Sequence, residues 1–219
     1  VGVSAAAGQS LTAYLAEKAM LIVIDNLEQV IAVAPELASI IAEAPRVKVL
    51  ATSREPLRLS GEHVYPVAPL AVPDARANIS PESARGFASV ALFVERAKAV
   101  NPAFELDAQN AHAVAEICRH LDGLPLAIEL AAARSNVLSP DAIVRRMPQR
   151  LKMLAGGARD LPLRQQTIRN AIAWSYDLLD DAERELFAQL GIFPGDFAIE
   201  SAELVCETSL DIIASLVDK

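Results

Sequence analysis

Two short apolar runs interrupt an otherwise mixed pattern: Leu21-Ile22-Val23-Ile24, which stops on Asp25-Asn26, and Val47-Lys48-Val49-Leu50-Ala51, which stops on Thr52-Ser53-Arg54. Runs of this kind, rich in β-branched residues and bounded by polar ones, predict strands covered on both faces of a parallel sheet. Between them Val30, Ile31, Val33, Leu37, Ile40 and Ile41 recur at helical spacing, and Pro45 closes the pattern. Strand, helix and strand joined in this way predict parallel neighbours with a right-handed crossover. Ligands of open α/β sheets gather outside the carboxyl ends of the strands. The pattern therefore puts Asp25 and Arg54 at one edge.

Beyond Arg54 the pattern changes. The segment His63-Val64-Tyr65-Pro66-Val67 predicts a short edge strand, and the proline-bearing stretch through Pro73 to Pro81 predicts a domain boundary. From about Ser80 the period is helical, with Val90, Leu92, Phe93 and Ala97 on one helix and Ala113, Val114, Ile117 and Leu121 on the next. Gly123 suits a helix C-cap and Pro125 the first turn of an alanine-rich helix that follows. Near the end, Gln165 to Leu179, Asp181 to Leu190, Glu200 to Cys206 and Leu210 to Val217 predict four short helices. Such a run suits a helix-turn-helix or winged-helix module whose hairpin would lie beyond Lys219. Trp174 reads as core, and Ser10 is placed to cap a helix reaching Lys18.

Composition narrows the class. With 219 residues, 53% of them hydrophobic, the chain can bury a substantial core. No apolar stretch approaches the roughly 20 residues of a membrane span, and Val1 opens without a signal pattern, so a cytoplasmic protein with no membrane partner is expected. Cys118 and Cys206 read as buried thiols. His63, His112 and His120 are scattered too widely to converge on a metal. The net charge of -8 is uneven: up to Arg159 there are 16 Lys+Arg against 16 Asp+Glu, and from Asp160 onward 4 against 12. The C-terminal segment thus lacks the basic footprint of a DNA reader. A basic cluster, Arg145, Arg146, Arg150 and Lys152, reads either as a partner or DNA contact or as a solvated helix face.

An aspartate ending an apolar strand is what P-loop nucleotidases use to hold Mg²⁺, and an arginine at the next strand end can read a terminal phosphate. The same residues also read as turn formers, with Arg54 paired to Glu28 or Glu55. No G-x-x-x-x-G-K-[ST] phosphate loop occurs in the sequence.

Taken together, Leu21-Ile22-Val23-Ile24-Asp25-Asn26, Thr52-Ser53-Arg54-Glu55-Pro56-Leu57, Gly123-Leu124-Pro125-Leu126, and Gln165-Gln166-Thr167-Ile168 with Trp174-Ser175-Tyr176 resemble one family. It is the NB-ARC-like branch of the STAND signalling ATPases, as in bacterial AfsR/SARP and large LuxR-type transcriptional regulators. The resemblance implies a fold that is mixed α/β and then all-α. Residues 1–78 would be the C-terminal part of a P-loop parallel-sheet nucleotide-binding domain without its Walker A loop, 79–158 a helical domain, and 159–219 a truncated winged-helix domain. Asp25 would be the Walker B acid holding Mg²⁺, and Arg54 the sensor near the γ-phosphate. Gly123 and Leu124 would set the corner from which Pro125 presses on adenine. Asn26 stands where many hydrolytic relatives have a second acid, so water activation would be slow or fall to another residue such as Glu28.

The implied function is an ATP/ADP switch in a transcriptional regulator, with nucleotide state controlling domain docking and self-association, and with DNA contacted through a separate domain. Without the phosphate loop, the chain is expected to bind no nucleotide or Mg²⁺ of its own and to show no ATPase activity. The alternatives are a nucleotide-free protein-interaction scaffold and a winged-helix DNA-binding module.

Overall fold

A computed structural model describes residues 11–74, 79–154 and 166–218, with Trp174 described through its backbone alone. Contacts gather the chain into two units, one formed by Val1–Pro66 with Leu179–Lys219 and the other by Val67–Leu178.

The first unit opens with α1 (Leu11–Ala16), β1 (Met20–Ile24), a 3-10 segment (Leu27–Val33), α2 (Ala34–Glu43) and β2 (Val47–Ala51). The strands are parallel, in register from Met20 opposite Val47 to Ile24 opposite Ala51. The expected crossover helix is split, because Val30 leaves helical geometry (φ -133, ψ 33) and α2 begins afresh with Pro35 in its first turn. Proline lacks an N–H and its ring collides with the carbonyl four residues back, so a continuous helix through Pro35 is disfavoured. Leu15, Ala44 and Val47 are buried against one face of the sheet, with Ile22, Ile40 and Val49 packed around them. On the other face Leu21, Val23 and Leu50 are 58%, 64% and 57% exposed. The expectation of strands covered on both faces is corrected here, since only one layer of helices packs on them among the described residues.

The same unit ends in α10 (Asp181–Leu190), α11 (Ile199–Cys206) and α12 (Leu210–Asp218), with Leu186, Ala202, Cys206 and Ile213 buried between them. Helix α10 starts on a capping box: the Asp180 side chain accepts from the Glu183 N–H at 2.9 Å, and Glu183 accepts from the Asp180 N–H at 2.8 Å. Glu183 is buried, and its second oxygen accepts the Ser215 hydroxyl at 2.6 Å, which ties α12 to the start of α10.

The second unit holds α3 (Pro81–Arg85), α4 (Ala88–Val100), α5 (Ala111–His120), α6 (Pro125–Ala132), α7 (Pro140–Val144), α8 (Arg150–Met153) and α9 (Ile168–Asp177). Val90, Phe93, Ile117, Ile128 and Ile143 are completely buried. Each such side chain contributes about 1.5–3 kcal/mol on burial. Phe93 meets Phe104 edge to face at 6.0 Å, and Arg96 on α4 pairs with Glu129 on α6 at 3.1 Å. The linker before α3 belongs to this unit. The Leu70 N–H donates to the Gly123 carbonyl at 3.0 Å, and the buried Ser89 hydroxyl donates to the Ala71 carbonyl at 2.7 Å.

The expected fold class does not hold. Among the described residues the sheet has two strands and everything else regular is helical, which does not fit a P-loop parallel-sheet domain followed by a helical and a winged-helix domain. The predicted strand at His63–Val67 joins no ladder: Pro66 has no N–H to give, and Tyr65 and Val67 stand 87% and 89% exposed. The C-terminal segment forms the expected short helices with no strand beside them among the described residues. The expected Ser10 cap and the core position of the Trp174 side chain lie outside the described residues.

Candidate functional site

The parallel register carries the residues that follow β1 and β2 to one edge, so Asp25 emerges opposite Thr52. The Thr52 hydroxyl donates to Asp25 Oδ1 at 2.5 Å, and the Asn26 amide donates to Asp25 Oδ2 at 2.9 Å. Thr52 Oγ1 in turn accepts the Asn26 N–H at 3.0 Å, and the Thr52 carbonyl accepts the Leu27 N–H at 2.9 Å. This net is possible because Asn26 takes a left-handed conformation (φ 61, ψ 50), which asparagine tolerates better than most residues. The result is an exposed carboxylate fixed in direction at the end of a strand, with lone pairs still open for a cation.

Glu28 behaves differently. Its side chain is 4% exposed, Oε1 lies 3.9 Å from Arg54 Nε, and the buried Oε2 has no hydrogen-bond partner. Leaving a buried carboxylate oxygen unmatched costs about 1–3 kcal/mol. A pair this long returns little of that. The Arg54 side chain is 32% exposed, so it reaches both Glu28 and solvent. Of the two surface pairings open to Arg54 from sequence, the one with Glu28 forms, and its carboxylate is buried.

Gly123, Leu124 and Pro125 lie in the other unit. Helix α5 ends in a Schellman motif, with the Gly123 N–H donating to Cys118 O at 3.1 Å and the Asp122 N–H to Arg119 O at 2.9 Å. Asp122 (φ 52) takes the left-handed position expected for glycine, and Gly123 (φ 68) follows it. A Cβ on Gly123 would stand 2.1 Å from the Leu70 carbonyl oxygen, so this glycine is required by the backbone of the linker. Leu124 is 45% exposed and Pro125 begins α6, which leaves an apolar corner on the surface.

The remaining chemistry-bearing residues are quiet. Both cysteines are buried and free, and burial pushes the Cys118 thiol up to about 12, against smaller lowering by the Ser89 hydroxyl and the Arg119 charge. Among the described residues no group of three His, Cys, Asp or Glu could hold a metal, and no helix is long and apolar enough to cross a membrane. Two features were not anticipated from sequence. Thr52 is the main partner of Asp25, and the strand register is the signal that would have found it. A cleft of about 560 Å³, with Asn101, Glu105, Asp107 and Asn110 in its wall, shares no residue with the motifs.

Known proteins resemble the chain over almost its whole length. It is 38% identical over 218 residues to a Mycobacterium tuberculosis protein provisionally named an HTH-type transcriptional regulator, and equally to its Mycobacterium bovis counterpart, covering 96% of this chain and 23% of theirs. A second Mycobacterium tuberculosis protein, named only as uncharacterized, is 35% identical over 219 residues, covering 96% of this chain and 52% of its own length. The chain therefore spans about a quarter to a half of the relatives it matches. No protein-family model matches it, and no solved structure matches it significantly.

Proposed function

We propose that the chain is a regulatory segment of a transcriptional regulator, in which the edge formed by Asp25, Asn26, Thr52 and Arg54 senses Mg²⁺-bound ATP or ADP. The observation that carries the reading is the Asp25 carboxylate held by Thr52 and Asn26 at the carboxyl end of a parallel strand, one strand away from Arg54. Similarity to HTH-type regulators supports the setting, and the NB-ARC-like motif order supports the ligand.

The donor set suits Mg²⁺ that arrives with a nucleotide. Mg²⁺ keeps several waters and takes one or two carboxylates plus phosphate oxygens. Asp25 offers the carboxylate and Thr52 a hydroxyl beside it. When bound, the ion would neutralise charge on the phosphates. Arg54 is the residue placed to read the terminal phosphate, and Glu28 is better suited to positioning the Arg54 guanidinium than to activating water. These 219 residues contain no glycine-rich phosphate loop, so the phosphate cradle has to come from elsewhere in the regulator.

The test is to purify the whole regulator, denature it and identify released nucleotide by chromatography. ADP or ATP is expected, with markedly less after Asp25→Ala or Arg54→Ala. A protein that releases none and binds no added Mg-ATP would overturn the reading and leave a protein-interaction scaffold.

A further inference from the structure

Between α7 and α8 the chain makes two tight turns that expose five long polar side chains in succession. Ile143, Met147 and Leu154 point into the core, while Arg145, Arg146, Gln149, Arg150 and Lys152 are all exposed. None of the four cations is ion-paired to a described residue, and Arg146 donates only to the Ala142 carbonyl at 2.9 Å. Some arginines of the chain do pair with acids, as Arg96 with Glu129 and Arg58 with Asp218, while Arg46 and Arg85 donate to backbone carbonyls. The patch also stands in the less acidic unit: Val67–Leu178 carries 13 Lys+Arg against 11 Asp+Glu, and the rest of the chain 7 against 17. Exposed charges act over about one Debye length, roughly 10 Å at 0.1 M salt, so the four cations and Asp141, four residues before Arg145, set the charge of this stretch.

We propose that Arg145, Arg146, Arg150 and Lys152 form a sequence-independent contact for the phosphate backbone of duplex DNA. The eight residues from Arg145 to Lys152 pass through a turn, the 3-10 segment Met147–Gln149 and the start of α8, and seven steps of about 1.5–2 Å span roughly 10–14 Å at most. One DNA strand presents a phosphate about every 3.4 Å of axis, so the patch faces about three of them. Three of the four cations are arginines, whose planar fork matches phosphate oxygens in pairs. A protein partner would need an apolar centre within the charged rim, and the side chains between the cations, Pro148, Gln149 and Leu151, supply little of one. The contact reads no bases, because nothing here is shaped to enter a groove. It would hold the regulator on DNA while another part chooses the sequence. The inference goes beyond the nucleotide reading and does not depend on it.

Neutralising about three phosphates gives a slope of log K against log salt of about −2.7, so affinity should fall roughly 40-fold between about 50 and 200 mM salt. The experiment is fluorescence anisotropy of a labelled 20-base-pair duplex titrated with this 219-residue chain, repeated with an unrelated duplex. Equal binding to both duplexes with that slope is expected. The combined variant Arg145→Ala, Arg146→Ala, Arg150→Ala and Lys152→Ala should lose it with circular dichroism and melting unchanged, since all four side chains are exposed. Replacing the three arginines with lysine should keep most of it. An unaltered slope in the alanine variant would overturn the proposal, as would absence of binding by the native chain at 50 mM salt. So would salt-sensitive self-association in light scattering that the alanine variant removes while DNA binding persists.

Discussion

Replacing Gly123 with alanine is expected to destabilise the helical unit by on the order of 3 kcal/mol. Forcing a residue with a Cβ to φ 68 costs about 1 kcal/mol. The new methyl would begin 2.1 Å from the Leu70 carbonyl oxygen, more than an ångström inside normal contact, and that oxygen is backbone rather than the end of a flexible side chain. Relief requires the linker to move, which breaks the 3.0 Å bond from the Leu70 N–H to the Gly123 carbonyl. Losing that bond costs about 1 kcal/mol. Leu70 and Val72 then lose part of their packing on the core, worth about 1 kcal/mol more at partial burial. The sum is roughly a hundredfold in the folding constant. Urea unfolding followed by far-UV circular dichroism reads the loss of the helices, and hydrogen exchange at the Leu70 amide reads the contact directly. Gly86→Ala is the control, because Gly86 lies at φ -68 and its Cβ would meet only the Ser83 carbonyl at 3.3 Å. Asparagine tolerates the left-handed region, so Gly123→Asn should remain nearly as damaging as alanine if the clash dominates. If Gly123→Asn is close to wild type, or Gly123→Ala leaves the Leu70 amide protected, the close-approach argument is wrong.

Other outcomes follow from the same kind of accounting. Thr52→Val removes a donor to Asp25 and an acceptor for Asn26, so it should lower the melting midpoint modestly, by about 1 kcal/mol at these exposed positions, and weaken Mg-nucleotide binding to the whole regulator. Glu28→Met removes a buried, poorly matched carboxylate and should be neutral or stabilising by about 1 kcal/mol in a denaturant titration. A clear loss of stability would show that the Arg54 pair is a net support. Glu183→Ala strips the capping box and orphans the Ser215 hydroxyl, so a loss of about 2–3 kcal/mol is expected in thermal melts. In a Cys206→Ala background, Cys118 should react with a thiol reagent at pH 8 only as fast as the chain opens. Its folded value of about 12 lies above the unfolded value near 9, so the folded state keeps the proton that the unfolded state loses. This contribution to stability is complete below pH 9 and is lost as pH rises from about 9 toward 12, which melting across that range in the presence and absence of Cys118→Ala would measure.

The helical half of the molecule was legible because its signals are local. The pattern from Asp181 to Leu190 gave the bounds of α10 as they stand, and the Pro125 start of α6 followed from proline's fixed φ. The parallel pairing of the two strands was also readable, since a helix-length crossover permits little else. What the residues could not reveal depends on contacts distant in sequence. The bond between Thr52 and Asp25 needs the register, and the role of Gly123 needs the path of a linker about fifty residues earlier. The fold-class expectation failed for a related reason. Apolar runs report that a strand wants cover on both faces, and they do not report how many strands or helices supply it. Asp25 and Arg54 were foreseen at one edge, whereas the burial of Glu28 was not, because its carboxylate reads as an ordinary surface acid in sequence.

The bonds from Leu70 to Gly123 and from Ser89 to Ala71 set where this protein can be cut. A truncation beginning at Ile79, just before the cap of α3, would discard Leu70, Ala71 and Val72. The Ser89 hydroxyl would then be buried without an acceptor, and the groove beside Gly123 would lie open to water. A truncation beginning at Val67 keeps both clips and should express as a folded helical piece. Protease digestion of the intact chain should accordingly favour the exposed stretch around Tyr65 over the prolines that follow it.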